Sequence, residues 1–130
     1  SVIGLDNFVT GLEKNLKHLE GHKNFKLYRC DITQKEELPQ FEGAVHEIYN
    51  MASPASPIDF KRIPIFILQT SAMGQTHLLE IAHEKKARIL FASTSEVYGD
   101  PLVHPQVETY LGNVNPVGER GCYDEAKRFG

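Results

Sequence analysis

Short apolar runs alternate with segments of helical period along the chain. Val2–Leu5 is apolar and ends at the turn pair Asp6-Asn7, and Phe25–Cys30 alternates and ends at Asp31. Val45–Met51 is followed by Ala52-Ser-Pro-Ala-Ser-Pro57, and Ala87–Ala92 ends in Ser93-Thr-Ser95. Runs this short, bounded by turn chemistry, predict buried strands. Between them, the mixed charges of residues 12–20 predict a short helix. Thr33 followed by Glu36 fits a capping box before a helical turn that stops near Pro39. A long helix is predicted from just after Pro57 to about Lys85, kinked or restarted at Pro64. Its Ile65, Leu68, Ala72, Leu79 and Ala82 share one face, the expected buried one. Strand–helix alternation of this kind predicts an α/β fold, a doubly wound parallel sheet with helices on both faces. From Asp100 to Arg120 the prolines Pro101, Pro105 and Pro116 mark a long ordered loop, a length that is usually functional.

Three sets of residues carry chemistry in this frame. Asp6 closes the first strand. In a dinucleotide-binding sheet an acidic residue there accepts hydrogen bonds from the adenosine ribose, and it repels a 2′-phosphate, which favours NAD over NADP. Tyr123 and Lys127 stand one helical turn apart, so an ammonium lies on the same face as a phenol. A nearby cation favours phenolate, which makes tyrosine a usable base toward an alcohol. Thr94, Ser95 and Glu96 follow directly on the fourth strand. The carboxyl ends of parallel strands face the ligand crevice, so a hydroxyl there can bond a substrate oxygen and Glu96 can move a proton.

Composition narrows the classes. The chain has 130 residues, 41% hydrophobic and 24% charged, ordinary values for one globular domain. A disordered tail, a collagen-like repeat and a disulfide-stapled miniprotein are excluded. The net charge of −3 argues against a nucleic-acid partner. Cys30 and Cys122, without C-x-x-C spacing, read as free thiols of a reducing compartment, hence a cytoplasmic protein, with a Golgi-anchored parent as the alternative. The apolar run Ile63–Leu68 is too short to span a bilayer, and no leader is visible. His18 and His22 have the spacing of a metal pair but no third ligand, so no metal is expected. Ser1–Leu5 resembles the inside of a strand and Asp124–Gly130 an unfinished helix, so the chain reads as an internal fragment.

Together these blocks resemble the extended short-chain dehydrogenase/reductases, the epimerase/dehydratase family that acts on nucleotide sugars. The stretches Ser93-Thr-Ser-Glu-Val-Tyr-Gly-Asp-Pro-Leu-Val-His-Pro-Gln106, Gly112-Asn-Val-Asn-Pro116 and Cys122-Tyr-Asp-Glu-Ala-Lys-Arg128 are similar, more narrowly, to its UDP-glucuronate decarboxylase branch. So are Asp6-Asn-Phe-Val-Thr-Gly11 and Ala52-Ser-Pro-Ala-Ser-Pro57, and the resemblance covers essentially the whole chain. Ser95 before Glu96 favours this branch over the 4,6-dehydratases, in which Asp usually precedes the Glu. Two departures stand out. Ser71 takes a position that is usually Asn, and Phe60-Lys-Arg-Ile-Pro64 replaces an aromatic-Lys-Tyr-Asn-Pro stretch.

The resemblance implies an NAD(P)-binding Rossmann fold with NAD as cofactor, UDP-glucuronate as substrate and a homodimeric parent. Asp6 and Asn7 would hold the adenosine ribose, with Asp31 and Ile32 flanking the adenine. Met51, Ala52 and Ser53 would lie beneath the cofactor, and Lys61 near the nicotinamide-side ribose or pyrophosphate. Thr94, Tyr123 and Lys127 would be the catalytic hydroxyl, base and helper, also touching the cofactor, and Ser95 and Glu96 the additions that serve decarboxylation. The implied reaction oxidises C4 of the sugar, loses carbon dioxide from the 4-keto intermediate and reduces the ketone again, giving UDP-xylose. A 4,6-dehydratase, a 4-epimerase and a non-catalytic NAD-binding domain are the alternatives. The fragment would lack the first strand with its glycine loop and the C-terminal substrate half. Alone it is expected to bind NAD poorly and not to turn over. The absence of the first strand would also separate the strand ending at Asp6 from the strand ending near Met51.

Overall fold

Four strands form at the four apolar runs of the computed structural model, which describes residues 1–130. They are β1 (Val2–Asp6), β2 (Phe25–Arg29), β3 (Glu47–Asn50) and β4 (Arg88–Phe91). All pairing is parallel. Val2 is in register with Phe25 and Asp6 with Arg29, while Glu47 is in register with Arg88 and Asn50 with Phe91. Instead of one continuous sheet there are two strand pairs, β1-β2 and β3-β4. Ladder hydrogen bonds need strands about 4.8 Å apart, and no strand lies between β1 and β3. A cavity of about 920 Å³ lies there instead, walled by residues of both strands. The arrangement is that of a doubly wound α/β domain opened at its middle.

The predicted helix over 58–85 is four pieces. α1 (Pro57–Arg62) and α2 (Pro64–Gln69) each start on a proline, which suits a first helical turn. Between them Ile63 leaves the helical region (φ −137°, ψ 47°), as a residue before proline does. A wide π-type turn, Thr70–Gly74, joins α2 to α3 (Gln75–Lys85). The expected buried face is also corrected. Ile65, Leu68 and Leu79 are exposed, and of the five residues on that face Ala82 alone is buried. The inward side carries Ile67, Thr70, Ser71, Gly74, Gln75 and Leu78.

That inward side is polar because its partners are polar or very close. Asn50 Nδ2 donates to Gln75 Oε1 at 2.6 Å, and the Ser53 and Ser71 hydroxyls lie 3.0 Å apart. A Cβ on Gly74 would stand 2.6 Å from Ile32 Cδ1, so any side chain there would have to displace Ile32. Long apolar groups do not fit this seam, so they point outward.

The small apolar core lies under the last helix, α4 (Gly121–Phe129). Phe60 from α1, Ile67 from α2 and Tyr123 from α4 form it, with Ile63 and Cys122 packed against it. The amphipathic pattern of α4 buries Tyr123, Asp124, Ala126 and Lys127 on one side.

Of two smaller expectations, the short helix forms and the capping box does not. Residues 12–20 hold a 3-10 helix (Glu13–Leu19) with no buried residue. No capping box forms at Thr33, because Asp31 Oδ1 already takes the Thr33 N–H at 2.8 Å. Glu37, not Glu36, reaches back to the Asp31 N–H, and the following 3-10 turn is Lys35–Glu37. The loop after residue 100 is irregular, as expected. It is tied to the end of the 3-10 turn Ser95–Tyr98 by a bridge between Gly99 and Asn113. Gly99 has φ +64°, and a Cβ there would come within 2.6 Å of Val114 Cα, so only glycine fits. No helix is long and apolar enough to cross a membrane.

Candidate active site

The predicted site residues fall in two groups. Seven line the cavity between the strand pairs: Asp6, Asn7, Asp31, Ile32, Met51, Ala52 and Ser53. The strands bring them there by ending at one side of the sheet. Short backbone bonds hold the polar ones. Asp6 Oδ1 accepts the Phe8 N–H at 2.7 Å, Asn7 Oδ1 accepts the Val9 N–H at 3.2 Å, and Asp31 fixes Thr33 as described. Asn50 Oδ1 accepts the Ala52 N–H at 3.1 Å and shapes the turn out of β3. Met51 is 69% exposed, while Ile32 is buried and its carbonyl lies 2.8 Å from His77 Nδ1.

The field at this end of the cavity is negative. The Cys30 thiol is pushed above its ordinary value by burial first, and then by Glu37, Asp31 and Asp6 in that order. Three carboxylates therefore converge where β1 and β2 end. Such a place suits ribose hydroxyls, which donate.

The second group sits on and beside α4. Thr94 caps the 3-10 turn Ser95–Tyr98, its Oγ1 accepting the Glu96 N–H at 3.3 Å. Ser95 is exposed and Glu96 half-buried. Tyr123 is 7% exposed and stacks on Phe60 with ring centroids 5.1 Å apart. Lys127 is 4% exposed. Its Nζ donates to the Ala92 carbonyl at 2.7 Å and lies 4.6 Å from the Phe91 ring centroid and 5.9 Å from that of Tyr123. Burial pulls this ammonium below its ordinary value. A single hydrogen bond thus ties the lysine to the end of β4, two residues before Thr94. Lys127 also lines an open hollow of about 480 Å³ with Phe91, Tyr98 and Arg128.

Lys61 does not line the inter-strand cavity. Its ammonium pairs with Glu119 at 3.0 Å, and both side chains are well exposed. That pair faces the loop leading into α4. Thr94, Tyr123 and Lys127 also stand outside the inter-strand cavity.

Two features were not singled out from the sequence. Arg120, just before α4, makes an ion pair with Glu96 and approaches Asp124 Oδ1 at 3.8 Å. The i,i+4 spacing of Arg120 and Asp124 was a visible signal for half of that cluster. The Ser53–Ser71 hydroxyl pair carried no signal, since 18 residues separate its members. It does show what occupies the Ser71 position: a fully buried hydroxyl bonded to the turn after β3.

The residues fit a nicotinamide dinucleotide. Hydrogen-bond acceptors for a ribose, Asp6, Asn7 and Asp31, stand at one end, and a buried tyrosine–lysine pair at the other. Comparison with known proteins agrees in fold and sequence. The family model described as GDP-mannose 4,6 dehydratase matches residues 1–130. UDP-glucuronic acid decarboxylase 6 of Arabidopsis thaliana is 52% identical over 127 residues, 98% of this chain and 36% of the relative. UDP-glucuronic acid decarboxylase 1 of Xenopus tropicalis is 48% identical over 124 residues, 95% of this chain and 28% of the relative. The chain thus spans about a third of the length of the curated relatives it matches. Among solved structures, a UDP-galactose 4-epimerase superposes with TM-score 0.76 at 21% identity, over 99% of this chain and 40% of that one. A dTDP-glucose 4,6-dehydratase of Bacillus anthracis str. Ames, in complex with NAD, superposes with TM-score 0.71 at 20% identity, over 99% and 39%. At these identities the superpositions speak to the fold alone.

Proposed function

The chain belongs to the GDP-mannose 4,6 dehydratase family, and from that premise we propose that the full-length protein is an NAD-dependent UDP-glucuronate decarboxylase. Its products would be UDP-xylose and carbon dioxide. Identity near 50% to UDP-glucuronic acid decarboxylases supports the substrate class. The observation that carries the chemistry is the burial of Lys127 between the Tyr123 ring and the end of β4.

Asp6 and Asn7 would hold the adenosine ribose, with Asp31 and Ile32 beside the adenine and Met51, Ala52 and Ser53 below. The carboxylates around Cys30 favour NAD over its 2′-phosphorylated form. When bound, the cofactor supplies a hydride acceptor, and later donor, for C4 of the sugar. Tyr123 would take the proton from the C4 hydroxyl. Lys127, held by Ala92, supports the phenolate with its positive charge and hydrogen-bonds ribose hydroxyls. Thr94 fixes the direction of the C4 hydroxyl. The 4-ketone lies β to the carboxylate, so carbon dioxide leaves and the electron pair passes into an enolate. Glu96, with Ser95, would manage protonation at C5.

The cavity between β1 and β3 is where this reading places a further strand and its glycine loop, with a substrate-binding half following α4. The outward apolar side chains Ile58, Ile65, Leu68, Met73 and Leu79 support a homodimer that covers them. The unpaired Cys30 and Cys122 support a cytoplasmic setting.

The test is carbon dioxide release from UDP-glucuronate by the full-length protein. Turnover is expected, and Tyr123→Phe is expected to abolish it while NAD stays bound. A 6-deoxy-4-keto product from a dTDP-hexose would support the dehydratase reading instead. Inversion at C4 without carbon dioxide would support an epimerase. NAD binding without any turnover would leave a non-catalytic domain.

A further inference from the structure

The first turn of α4 carries a cation where a helix disfavours one. Backbone N–H groups give a helix N-terminus partial positive charge, so an arginine immediately before it is costly unless something recovers that cost. Arg120 has two partners that do. Its Nη2 pairs with Glu96 Oε2 on the 3-10 turn, and its Nε stands 3.8 Å from Asp124 Oδ1. Asp124 is 7% exposed, its Oδ1 is buried without a hydrogen bond, and burial pushes its carboxyl above the ordinary range while Arg120 opposes the shift. A planar guanidinium, with donors at both ends, can serve two carboxylates at once, and an ammonium cannot do so from one position.

The cluster also links the two elements that must stay in register. Glu96 lies two residues after Thr94, and Arg120, just before α4, and Asp124, on it, flank Tyr123. At the other end of α4, Arg128 Nη1 donates to the Val97 carbonyl at 2.5 Å and to the Leu111 carbonyl at 2.9 Å. Backbone acceptors at that end hold the helix whatever the state of Glu96. Only Arg120 grips the Glu96 carboxylate itself.

We propose that Arg120 is the positioning residue of Glu96: it directs that carboxylate, with Asp124 as the anchor that holds the guanidinium in place. The inference rests on the decarboxylase reading, in which Glu96 handles the C5 proton. Glu96 pairs with Arg120, whose guanidinium also approaches Asp124. Lys61 on α1 faces the same loop but is engaged by Glu119. Tyr98 belongs to the turn of Glu96 itself, and the Arg128 side chain is bound to that turn's backbone. Arg120 is the one cation among them paired with Glu96.

The experiment uses the full-length protein with Arg120→Gln, Arg120→Lys and Glu96→Gln, and the Arg120→Gln/Glu96→Gln double variant. Removing the paired cation is expected to raise the Glu96 titration midpoint, read directly as the carboxyl ¹³C shift assigned by loss of the signal in Glu96→Gln. With UDP-glucuronate, Arg120→Gln should lower kcat about 10- to 100-fold with KM within about threefold. Arg120→Lys should recover part of kcat. The double variant should be no slower than Glu96→Gln alone. An unchanged Glu96 midpoint, or losses that multiply in the double variant, would overturn the proposal. The ¹³C titration needs no substrate, so it judges the Arg120 pairing even where the decarboxylase reading fails on carbon dioxide release. If Arg120→Gln does not fold, Arg120→Met, which also removes the cation, carries the same titration.

Discussion

The two ends of the molecule hold their functional groups by opposite means. At the ends of β1 and β2, side chains are set by bonds to backbone two residues away, as Asp6 is to Phe8 and Asp31 to Thr33, and Asp6 stays open to solvent. At α4, Tyr123 and Lys127 are buried and set by residues far off in sequence, Phe60 and Ala92. The first arrangement suits recognition, since a ligand finds preset acceptors at little conformational cost. The second suits proton chemistry, since burial alters the cost of charge. Placement by local turns survives loss of the core, and placement by distant contacts does not.

The largest expected effect attacks that core. Ile67→Ala removes the fully buried side chain packed with Phe60 and Tyr123. It should cost about 2–5 kcal/mol in urea unfolding of the full-length protein. If the contrast holds, turnover in the surviving folded fraction falls while NAD affinity is retained.

Next comes Lys127→Met. Turnover should fall at least ~100-fold. The stability comparison with the parent carries a pH signature. Burial depresses the folded lysine below the unfolded value of 10.5. The charged form therefore costs stability at neutral pH, and that cost disappears as pH rises through the folded midpoint toward the unfolded one. The variant's stability relative to the parent should be highest at neutral pH and decline on the alkaline side. A flat difference from pH 7 to 11 would show that the ammonium carries no burial cost.

Asp6→Ala tests the other end. Loss of a charge-assisted acceptor should weaken NAD binding about 10-fold or more by calorimetry. An exposed group of this kind should change unfolding free energy by no more than about 0.5 kcal/mol. A large stability loss would erase the contrast between the two ends.

The smallest effect is at Asp124. Its folded carboxyl lies above the unfolded value of 3.8, mainly through burial. Its contribution is fully present below the unfolded value and is lost as pH rises through the folded one. Asp124→Asn should therefore gain stability relative to the parent near pH 7, and the gain should vanish as pH falls below 3.8. Chemical denaturation at several pH values checks the slope. A gain that grows with acid would reverse the assignment.

The strands were legible because each apolar run is bounded by its own turn residues, and the β-period needs no distant partner to be recognised. For the same reason the residues at their ends, Asp6, Asp31 and Met51 among them, fall together on one cavity. The faces of α2 and α3 were not legible. Ile65, Leu68 and Leu79 make a convincing apolar stripe, yet Ser71, Gly74 and Gln75 win the interior because Ser53, Ile32 and Asn50 meet them there. That choice is made by shape and hydrogen bonding across 18 to 42 residues of chain, which periodicity cannot see. The partner of Lys61 was not legible either, since Glu119 sits on a loop whose path no local signal gives. Thr33-x-x-Glu36 failed because Asp31 competes for the same N–H and lies nearer.

The wide turn at Thr70–Gly74 has a genealogical consequence. A π-type turn absorbs one surplus residue without rotating the helix on either side. Shortening the chain by one residue there leaves Gln75, Leu78 and Ala82 on the seam. The same deletion in mid-α3 swings every later side chain by about 100°. This stretch is therefore the part of the helical run where homologues can differ in length by one and still align on either flank.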